Sequence, residues 1–194
     1  MQYFKFQLGG SGLLPKGWQA QLMVMSQASS DLILLDGKHP TSLDPKGEIL
    51  PSFVVPGSIV KEQAFWLYHL YTDFIRNLVS ACYGMPCVPG NDIDTSLSLS
   101  SIRGEGARYE LHVDSNPITA LLFVSDLPNE CGGQLALHFP EGIEKIEARS
   151  GTLLIFRGGQ IPHEVLPLNG NIIRVSVPMN FYPKGVEQKI WTQK

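Results

Sequence analysis

The chain has 194 residues, which is enough for one domain with a substantial core. Hydrophobic residues make up 43% and charged residues 17%, as is typical of a globular protein, so extensive disorder is excluded. The net charge of −3 provides no basic field, and nucleic acid is therefore not expected as a partner.

The sequence also lacks signals for a membrane or a secreted protein. No apolar run approaches the ~20 residues of a membrane-spanning helix, so no membrane partner is expected. The first eight residues alternate aromatic and polar side chains, which argues against a cleaved secretion signal. Cys82, Cys87 and Cys131 are too few for a disulfide framework and lack zinc-ribbon spacing. These features predict a cytoplasmic protein of unknown oligomeric state.

The N-terminal half is predicted to supply a strand or two, a long loop and one helix. Residues 36–58 are rich in turn formers and are predicted to form the loop. The helix is predicted from about Ile59 to Tyr83, with Ser58 as its N-cap and with Gly84 and Pro86 ending it. Apolar residues three and four apart define its predicted buried stripe, which consists of Phe65, Tyr68, Tyr71, Ile75, Leu78, Val79 and Cys82.

After residue 95 the hydrophobic period changes from that of a helix to that of a strand. Eight strands separated by short turns are predicted, at Ser96–Ile102, Tyr109–Asp114, Ile118–Ser125, Gln134–Phe139, Lys145–Glu147, Thr152–Arg157, Glu164–Leu166 and Ile172–Met179. Many short strands with regular turns are typical of a sandwich or barrel. The predicted fold class is therefore mainly β (α+β), with one helix packed on a barrel.

Three residues in this region have the composition of a metal site. His112 and Asp114 lie two residues apart on a predicted strand, so their side chains share a face. His163 follows 49 residues after Asp114, behind the glycine turn Gly158–Gly159, which could bring it near the other two. Two imidazoles and one carboxylate form the facial triad of non-haem Fe(II) oxygenases, which leaves coordination positions open.

His138 is an alternative third ligand, because an arginine follows it after 11 residues, as one follows His163. That arginine, Arg149, lies in a polar turn and not in a hydrophobic strand. His163 is therefore the preferred third ligand. His39 lies in a loop rich in proline and glycine and is expected on the surface.

Arg174 is a charged residue inside a mostly β-branched predicted strand. Burying its guanidinium requires a partner, and no acidic residue lies nearby in the sequence. A guanidinium matches a carboxylate through two parallel hydrogen bonds, and Ser176 shares the same strand face. The pattern is typical of a site for a carboxylate ligand, and an arginine that faces solvent is the alternative interpretation.

Taken together, these motifs resemble a known enzyme family. The matching segments lie in the family's order and spacing over about residues 96–182, at 109–114, 132–135, 151–156, 162–167 and 174–176. In these segments the chain resembles the 2-oxoglutarate/Fe(II)-dependent oxygenases and, within them, the prolyl-4-hydroxylase-like branch. The first 95 residues contain no motif that matches, although a helix before the barrel suits the family.

The resemblance implies a double-stranded β-helix, or jelly-roll, barrel with an N-terminal supporting helix. It implies a single domain over residues 1–194, with an N-terminal region (1–95) and a barrel (about 96–182). It further implies that His112, Asp114 and His163 ligate Fe(II) and are catalytic. Arg174 would bind the distal carboxylate of the cosubstrate 2-oxoglutarate, with Ser176 assisting, and O2 would be the second cosubstrate.

The implied activity is that of a dioxygenase that hydroxylates an unactivated C–H bond and releases succinate and CO2. Asp114 favours hydroxylation over halogenation, because halogenating relatives carry a small residue in its place. The family often has a tyrosine that bonds the cosubstrate near the position of Phe123, which has no hydroxyl group. This departure affects the expected details of cosubstrate binding and leaves the triad unaffected.

The substrate is predicted less directly than the reaction. The small size of the chain and the absence of an added recognition domain favour a small molecule, such as an amino acid or a natural-product intermediate. The alternatives are a peptidyl or protein (prolyl-type) hydroxylase with a regulatory role, and a cupin-like metal-binding barrel without catalysis. Arg103, Arg108, Glu110 and Asn116 flank the first ligands, and Glu110 shares the strand parity of His112.

Overall fold

The computed structural model describes residues 3–44 and 48–188 as two antiparallel sheets with helices packed on the larger one. The strands are β1 (Tyr3–Gln7), β2 (Asp31–Leu35), β3 (Leu50–Val55), β4 (Cys87–Pro89), β5 (Leu99–Arg103), β6 (Tyr109–His112), β7 (Ile118–Phe123), β8 (Leu135–Phe139), β9 (Gly142–Ile146), β10 (Thr152–Phe156), β11 (His163–Val165) and β12 (Ile173–Pro183). The helices are α1 (Trp18–Ala28), α2 (Gly57–Gln63), α3 (Phe65–His69), a π-helix (Leu70–Ile75), α4 (Arg76–Tyr83) and α5 (Ile93–Ser96), with a 3-10 turn at Asn129–Cys131.

The two sheets form the predicted double-stranded β-helix. The larger sheet has the strand order β1-β10-β7-β12-β5-β3-β2, with β4 also pairing with β12, and the smaller has the order β6-β11-β8-β9. All pairings are antiparallel, and the N-terminal strands β1, β2 and β3 extend the sheet that carries β5, β7, β10 and β12. The fold class predicted from the sequence is therefore confirmed.

The centre of the larger sheet, at β7 and β10, is buried on both faces, because the smaller sheet covers one face and the helices cover the other. On β7, Leu121 and Phe123 contribute to the core between the sheets, while Ala120 and Leu122 contribute to the core under the helices. All six β7 residues are buried, which explains why the strand reads as a continuous apolar run. The inner faces of both sheets surround the candidate site.

The single helix predicted from Ile59 to Tyr83 is a run of several helical segments. It begins one residue before the predicted N-cap, since Pro56 occupies the cap position and Ser58 lies inside α2. Ala64 interrupts it with a non-helical backbone, and residues 70–75 are π-helical. The predicted stripe is also partly wrong, because Phe65 is 53% exposed.

The residues of this run that face the barrel are spaced by four. Leu67, Tyr71, Ile75 and Val79 are each at most 1% exposed. In an α-helix of 3.6 residues per turn, each step of four residues drifts by about 40° around the axis. The wider turn of a π-helix reduces this drift, which explains how the chain keeps all four residues on the barrel. Apolar residues spaced by three and four predict a helix, but they do not distinguish a π-helical segment from an α-helical one.

Two further elements of the N-terminal half differ from the prediction. Helix α1 was not predicted, because its buried face is short and includes a serine, Ser26, beside Leu22 and Met25. The predicted loop at 36–58 contains β3 and the start of α2, and its residues 45–47 lie outside the described part of the chain. Pro51 occurs in β3, which pairs with β2 on one side and with β5 on the other.

The eight strands predicted after residue 95 all exist, with shifted bounds. One of these shifts affects the site. Strand β6 ends at His112, so Asp114 lies in the following loop and not on the strand, as had been predicted. The hairpin strand predicted at 145–147 is β9, at 142–146. Among the described residues, no helix is long and apolar enough to cross a membrane.

Candidate active site

The structure brings His112, Asp114 and His163 together between the two sheets. His112 at the end of β6 lies directly opposite His163 at the start of β11 in the strand register. Asp114 Oδ1 lies 3.4 Å from His112 Nε2 and 3.6 Å from His163 Nε2. The ligand atoms of the three residues all lie within 4.8 Å of one another, so one metal ion could contact all of them.

Backbone carbonyl groups fix the orientation of both imidazoles. Nδ1 of His112 lies 2.8 Å from the carbonyl oxygen of Glu110, and Nδ1 of His163 lies 2.8 Å from that of Ile161. When Nδ1 carries the proton, Nε2 has a free lone pair. In both histidines Nε2 lies toward Asp114. This is the outer hydrogen bond by which metal-binding histidines are usually oriented.

The second oxygen of Asp114 is held by a threonine on β7. The Thr119 hydroxyl donates to Asp114 Oδ2, and the buried Asn116 amide donates to Thr119 Oγ1 at 2.9 Å. The amide of Asn116 also donates to the Ile118 carbonyl oxygen at 2.8 Å, which fixes its own orientation. Oδ1 is thereby directed toward the imidazoles. Asn116, which flanks the first ligands in the sequence, supports the site through this network.

The glycine pair before His163 has a specific steric role. The backbone N–H of Asp114 donates to the Gly158 carbonyl oxygen at 2.9 Å. A Cβ atom at Gly158 would lie 2.1 Å from Asp114 Oδ2, and one at Gly159 would lie 2.8 Å from the Asn116 carbonyl oxygen. The sequence indicated only a turn here, whereas the structure indicates that glycine is needed for the close approach of the two loops.

The three residues perturb one another electrostatically. Burial raises the pKa of Asp114, but the charges and hydrogen bonds of the His163 and His112 imidazoles more than offset it and hold that pKa well below its usual value. Burial lowers the pKa of His112, while its hydrogen bond to Asp114 and the charge of Asp114 outweigh this and raise it overall. Asp114 is therefore available as an anionic ligand.

Arg174 faces the same interior space from β12. Its Nε donates to the Gly133 carbonyl oxygen at 2.8 Å, and Nη1 donates to the Ser176 hydroxyl at 3.2 Å. Nη2 is buried and has no hydrogen-bond partner among the described residues. Burial lowers the pKa of Arg174 to about 10. The solvent-facing alternative for this arginine is therefore wrong.

Two aromatic residues pack against these polar groups. The Phe123 ring lies 5.4 Å from the Arg174 guanidinium carbon, and its side chain has no hydroxyl group to offer a ligand of Arg174. Tyr109 packs against His112 with ring centroids 5.0 Å apart, and burial is the main cause of its raised pKa. Tyr109 was not singled out from the sequence, since nothing in its spacing distinguishes it from a core residue.

A single cavity of about 400 Å³ contains the triad, Arg174 and Ser176. Its wall also includes residues of β2 and of the following segment, which the sequence did not assign to a site: Ile33, Leu34, Leu35, Asp36, His39 and Thr41. His39 is exposed as expected, yet it lines the mouth of the cavity. Sequence reasoning missed these contributions because they depend on the pairing of β2 with β3.

His138, the alternative third ligand, and Arg149, the arginine that follows it, lie outside the cavity. His138 Nε2 contacts Glu164 Oε1 at 3.0 Å, and Arg149 forms exposed ion pairs with Glu147 and Asp126. Neither residue is part of the cavity wall.

The two arginines that flank the first ligands also lie outside the cavity wall, whereas Glu110 is part of it. Arg103 packs over the Phe53 ring at 3.4 Å. Arg108 forms ion pairs with Asp44 at 2.7 Å and with Glu48 at 2.8 Å. These contacts give both arginines structural roles.

Residues 97–182, which span the barrel and all five candidate site residues, match the family model of the 2OG-Fe(II) oxygenase superfamily. Over this segment, which is a little under half of its 194 residues, the chain is similar to this superfamily. The match supports the predicted activity, that of a 2-oxoglutarate-dependent non-haem iron dioxygenase that uses Fe(II), 2-oxoglutarate and O2. It favours this activity over the alternative of a cupin-like barrel without catalysis. No protein with a curated description matches the sequence significantly.

Several solved structures share the fold of most of this chain. A Pseudomonas putida prolyl-4-hydroxylase is 18% identical, with a TM-score of 0.63 over 95% of this chain and 94% of that one. A Trichoplax adhaerens prolyl hydroxylase, in complex with a hypoxia inducible factor peptide fragment, is 16% identical, with a TM-score of 0.64 over 94% of this chain and 84% of that one. HygX from Streptomyces hygroscopicus, with nickel, 2-oxoglutarate and hygromycin B bound, is 11% identical, with a TM-score of 0.61 over 96% and 85%. At these identities the likeness concerns the fold alone.

Proposed function

We propose that His112 Nε2, His163 Nε2 and one oxygen of Asp114 are the ligands of the catalytic Fe(II). The proposal is supported by the convergence of the three ligand atoms and by the carbonyl groups that orient both imidazoles. The bound iron would supply the O2 chemistry that couples oxidation of 2-oxoglutarate to hydroxylation of the substrate. The protein residues hold the ligand atoms in place.

The observation that carries the proposal is the unpaired, buried Nη2 of Arg174 in the cavity that contains the triad. A buried donor without a partner is costly, and a carboxylate would satisfy it through a charge-assisted hydrogen bond. The distal carboxylate of 2-oxoglutarate would bind Arg174, with the Ser176 hydroxyl assisting. The bond of Nε to the Gly133 carbonyl holds the guanidinium in position before the ligand arrives.

The proposed catalytic domain comprises residues 1–194, with the region 1–95 as an integral part. Three strands from this region, β1, β2 and β3, belong to the same sheet as the barrel strands. Residues of α1, α2 and the helical run after it form one core with β7, β10 and β12. This arrangement supports a single folding unit and not a barrel with a separate attachment.

The proposed substrate is a small molecule, whose unactivated C–H bond is hydroxylated as succinate and CO2 are released. The cavity of about 400 Å³ lies within the range of small-molecule sites, and part of it would be taken by 2-oxoglutarate. The similar structure of HygX contains a small molecule, hygromycin B, beside 2-oxoglutarate. The proposed small molecule is an amino acid or a natural-product intermediate.

A peptide is the second candidate, and the position of β2 favours it. This strand is an edge of the larger sheet, and its residues 33–35 line the mouth of the cavity. Leu32 and Leu34 are each 57% exposed. An extended peptide could pair with such an edge. The Trichoplax adhaerens structure contains a peptide fragment bound to a protein of the same fold.

The two candidates are separated by succinate release in the presence of Fe(II), 2-oxoglutarate and O2. We expect a pool of amino acids and other small metabolites to stimulate release over the uncoupled rate, with a product heavier by one oxygen atom. Stimulation by a peptide pool alone would replace the first candidate by the second. The Arg174→Met variant should lose stimulation at least about 100-fold, and Arg103→Met, which removes an arginine outside the cavity, should not. No consumption of 2-oxoglutarate by the iron-loaded protein would contradict both.

A further inference from the structure

Glu110 is a buried acidic residue in the cavity wall that the proposed binding of iron and 2-oxoglutarate does not use. It lies on β6, two residues before His112, so the two side chains share a strand face and their Cα atoms are about 7 Å apart. The residue is only 5% exposed, and it lines the same cavity as the triad. Its position places a carboxylate beside the proposed reaction site.

The Glu110 carboxylate accepts a hydrogen bond from a neutral side chain and forms no ion pair within the described part of the chain. The Ser42 hydroxyl donates to Oε2 at 2.8 Å, and a bridge between Ser42 and His112 fixes this contact in the backbone. No lysine, arginine or histidine in residues 3–44 and 48–188 forms an ion pair with Glu110. The other carboxylate in the wall that is not a proposed ligand, Asp36, contacts Lys38 at 3.1 Å.

The charges of the loaded cavity balance without Glu110. Two positive charges of Fe(II) and one of Arg174 equal the single negative charge of Asp114 and the two of 2-oxoglutarate. Apart from the histidines, Arg174 is the one cationic residue in the described wall. Glu110 therefore leaves one negative charge, which is costly in a buried place unless a positive charge approaches it.

We propose that Glu110 is a specificity-determining residue that selects a substrate with a cationic nitrogen, either an ammonium or a guanidinium group. This inference rests on the proposed function, because it assigns a chemical class to the substrate of the same site. The cationic group completes the charge balance, and Ser42 holds the carboxylate that receives it. The oxidised C–H bond would then lie several bonds from the nitrogen, since Glu110 and His112 are separated along one strand.

Three probes of matched length test the preference directly: n-butylammonium, n-butanol and n-butanesulfonate. With Mn(II) and 2-oxoglutarate bound to the full chain, paramagnetic relaxation of the probe protons reports how often each probe lies near the metal. In the wild-type protein we expect the paramagnetic relaxation of n-butylammonium to be at least about tenfold greater than that of n-butanol. We expect n-butanesulfonate to show no paramagnetic relaxation. In the Glu110→Gln variant, the paramagnetic relaxation of n-butylammonium should fall to that of n-butanol.

Ser42→Ala serves as the matched control, since it removes the hydrogen bond and keeps the charge. This variant should retain most of the cation preference, whereas a purely structural role of the Ser42–Glu110 pair would make the two variants behave alike. Equal relaxation for n-butylammonium and n-butanol in the wild-type protein would overturn the proposal. A cation preference that survives in Glu110→Gln would overturn it as well.

A second readout separates this failure from failure of the proposed function. The anaerobic absorption band of Fe(II) with 2-oxoglutarate is recorded for the wild-type protein and both variants. A band without a cation preference overturns the role of Glu110 alone. Absence of the band in the wild-type protein overturns the proposed site and, with it, the assignment of Glu110.

Discussion

At the residue scale, the two oxygens of Asp114 have separate roles. Oδ1 faces both imidazoles, while Oδ2 accepts a hydrogen bond from Thr119 and lies where a side chain at Gly158 would collide. The sequence could predict which three residues lie together, although the reason given, a shared strand face, is wrong for Asp114, which lies in the loop after β6. It could not predict Thr119 or the need for Gly158, since both depend on loops that are distant in the sequence. The orientation of Asp114 is a property of the tertiary structure.

Replacement of Thr119 by valine should weaken metal binding while the fold is retained. The change removes the hydroxyl that orients Asp114, and loss of such an outer partner typically costs about 10- to 100-fold in metal affinity. Titration of the apo protein with Fe(II) under anaerobic conditions measures the effect. Thr152→Val is the matched control, because the Thr152 hydroxyl bonds to Gln7 on β1, away from the site. Equal affinities for the two variants would contradict the role of Thr119.

Metal affinity should decrease as the pH is lowered. In the metal-free protein Asp114 raises the pKa of His112 above its ordinary value, against the effect of burial. Metal binding must displace this proton, so the apparent affinity falls as the pH drops through that pKa. Titrations between about pH 8 and about pH 6 should show a progressive loss of affinity. An affinity that does not change over this interval would contradict His112 as a ligand.

At the element scale, the barrel could be predicted from its alternating pattern and short turns, and the helical layer could be predicted only in part. The run from Gly57 to Tyr83 contains a break at Ala64 and a π-helix, which a simple helical period does not encode. Strand β3 contains a proline and lies between turn formers, so its sequence does not indicate a strand. It forms because it pairs with β2 and β5. The helical run and β3 therefore could not be predicted in full from the sequence.

Tyr71 joins the π-helix to the end of the barrel. Its hydroxyl donates to the Asn180 carbonyl oxygen at 2.8 Å and accepts from the Gly90 backbone N–H at 3.0 Å. Tyr71→Phe should reduce the free energy of unfolding by about 1–3 kcal/mol, because both partners lose a hydrogen bond. Denaturant unfolding tests this against Tyr68→Phe, a half-buried tyrosine nearby in the sequence whose hydroxyl bonds to none of the described residues. Similar losses for both variants would contradict the assigned role.

Arg108 forms ion pairs between the barrel and the segment that connects β2 to β3. It contacts Asp44, whose side chain is 5% exposed, and the more exposed Glu48. Arg108→Gln should lower the free energy of unfolding by about 2 kcal/mol, since a mostly buried carboxylate loses its cation. It should also accelerate proteolysis in the segment between the two strands.

The control for this prediction is Arg149→Gln, which breaks exposed ion pairs and should cost less than about 1 kcal/mol. If Arg108→Gln is no more destabilising than Arg149→Gln, and the segment is cleaved at the wild-type rate, Arg108 does not hold this wall of the cavity.

At the scale of the whole molecule, the double-stranded β-helix brings distant parts of the chain to one cavity. β6 with the loop after it, β11 and β12 carry the proposed ligands of iron and 2-oxoglutarate, and β2 with its following segment lines the same cavity. The order of the motifs along the chain was sufficient to predict the fold. The charge and shape of the substrate side were not predictable, because they arise where N-terminal residues such as Ser42 meet Glu110.

The central claim is that the triad and Arg174 together form one site for Fe(II) and 2-oxoglutarate. The most direct measurement is the visible absorption spectrum of the anaerobic Fe(II) protein before and after addition of 2-oxoglutarate. We predict a metal-to-ligand charge-transfer band that appears only with the cosubstrate. In Arg174→Met it should require about 100-fold more 2-oxoglutarate, while Arg103→Met should behave as the wild-type protein does. No band with iron bound, or equal requirements for 2-oxoglutarate in both variants, would contradict the claim.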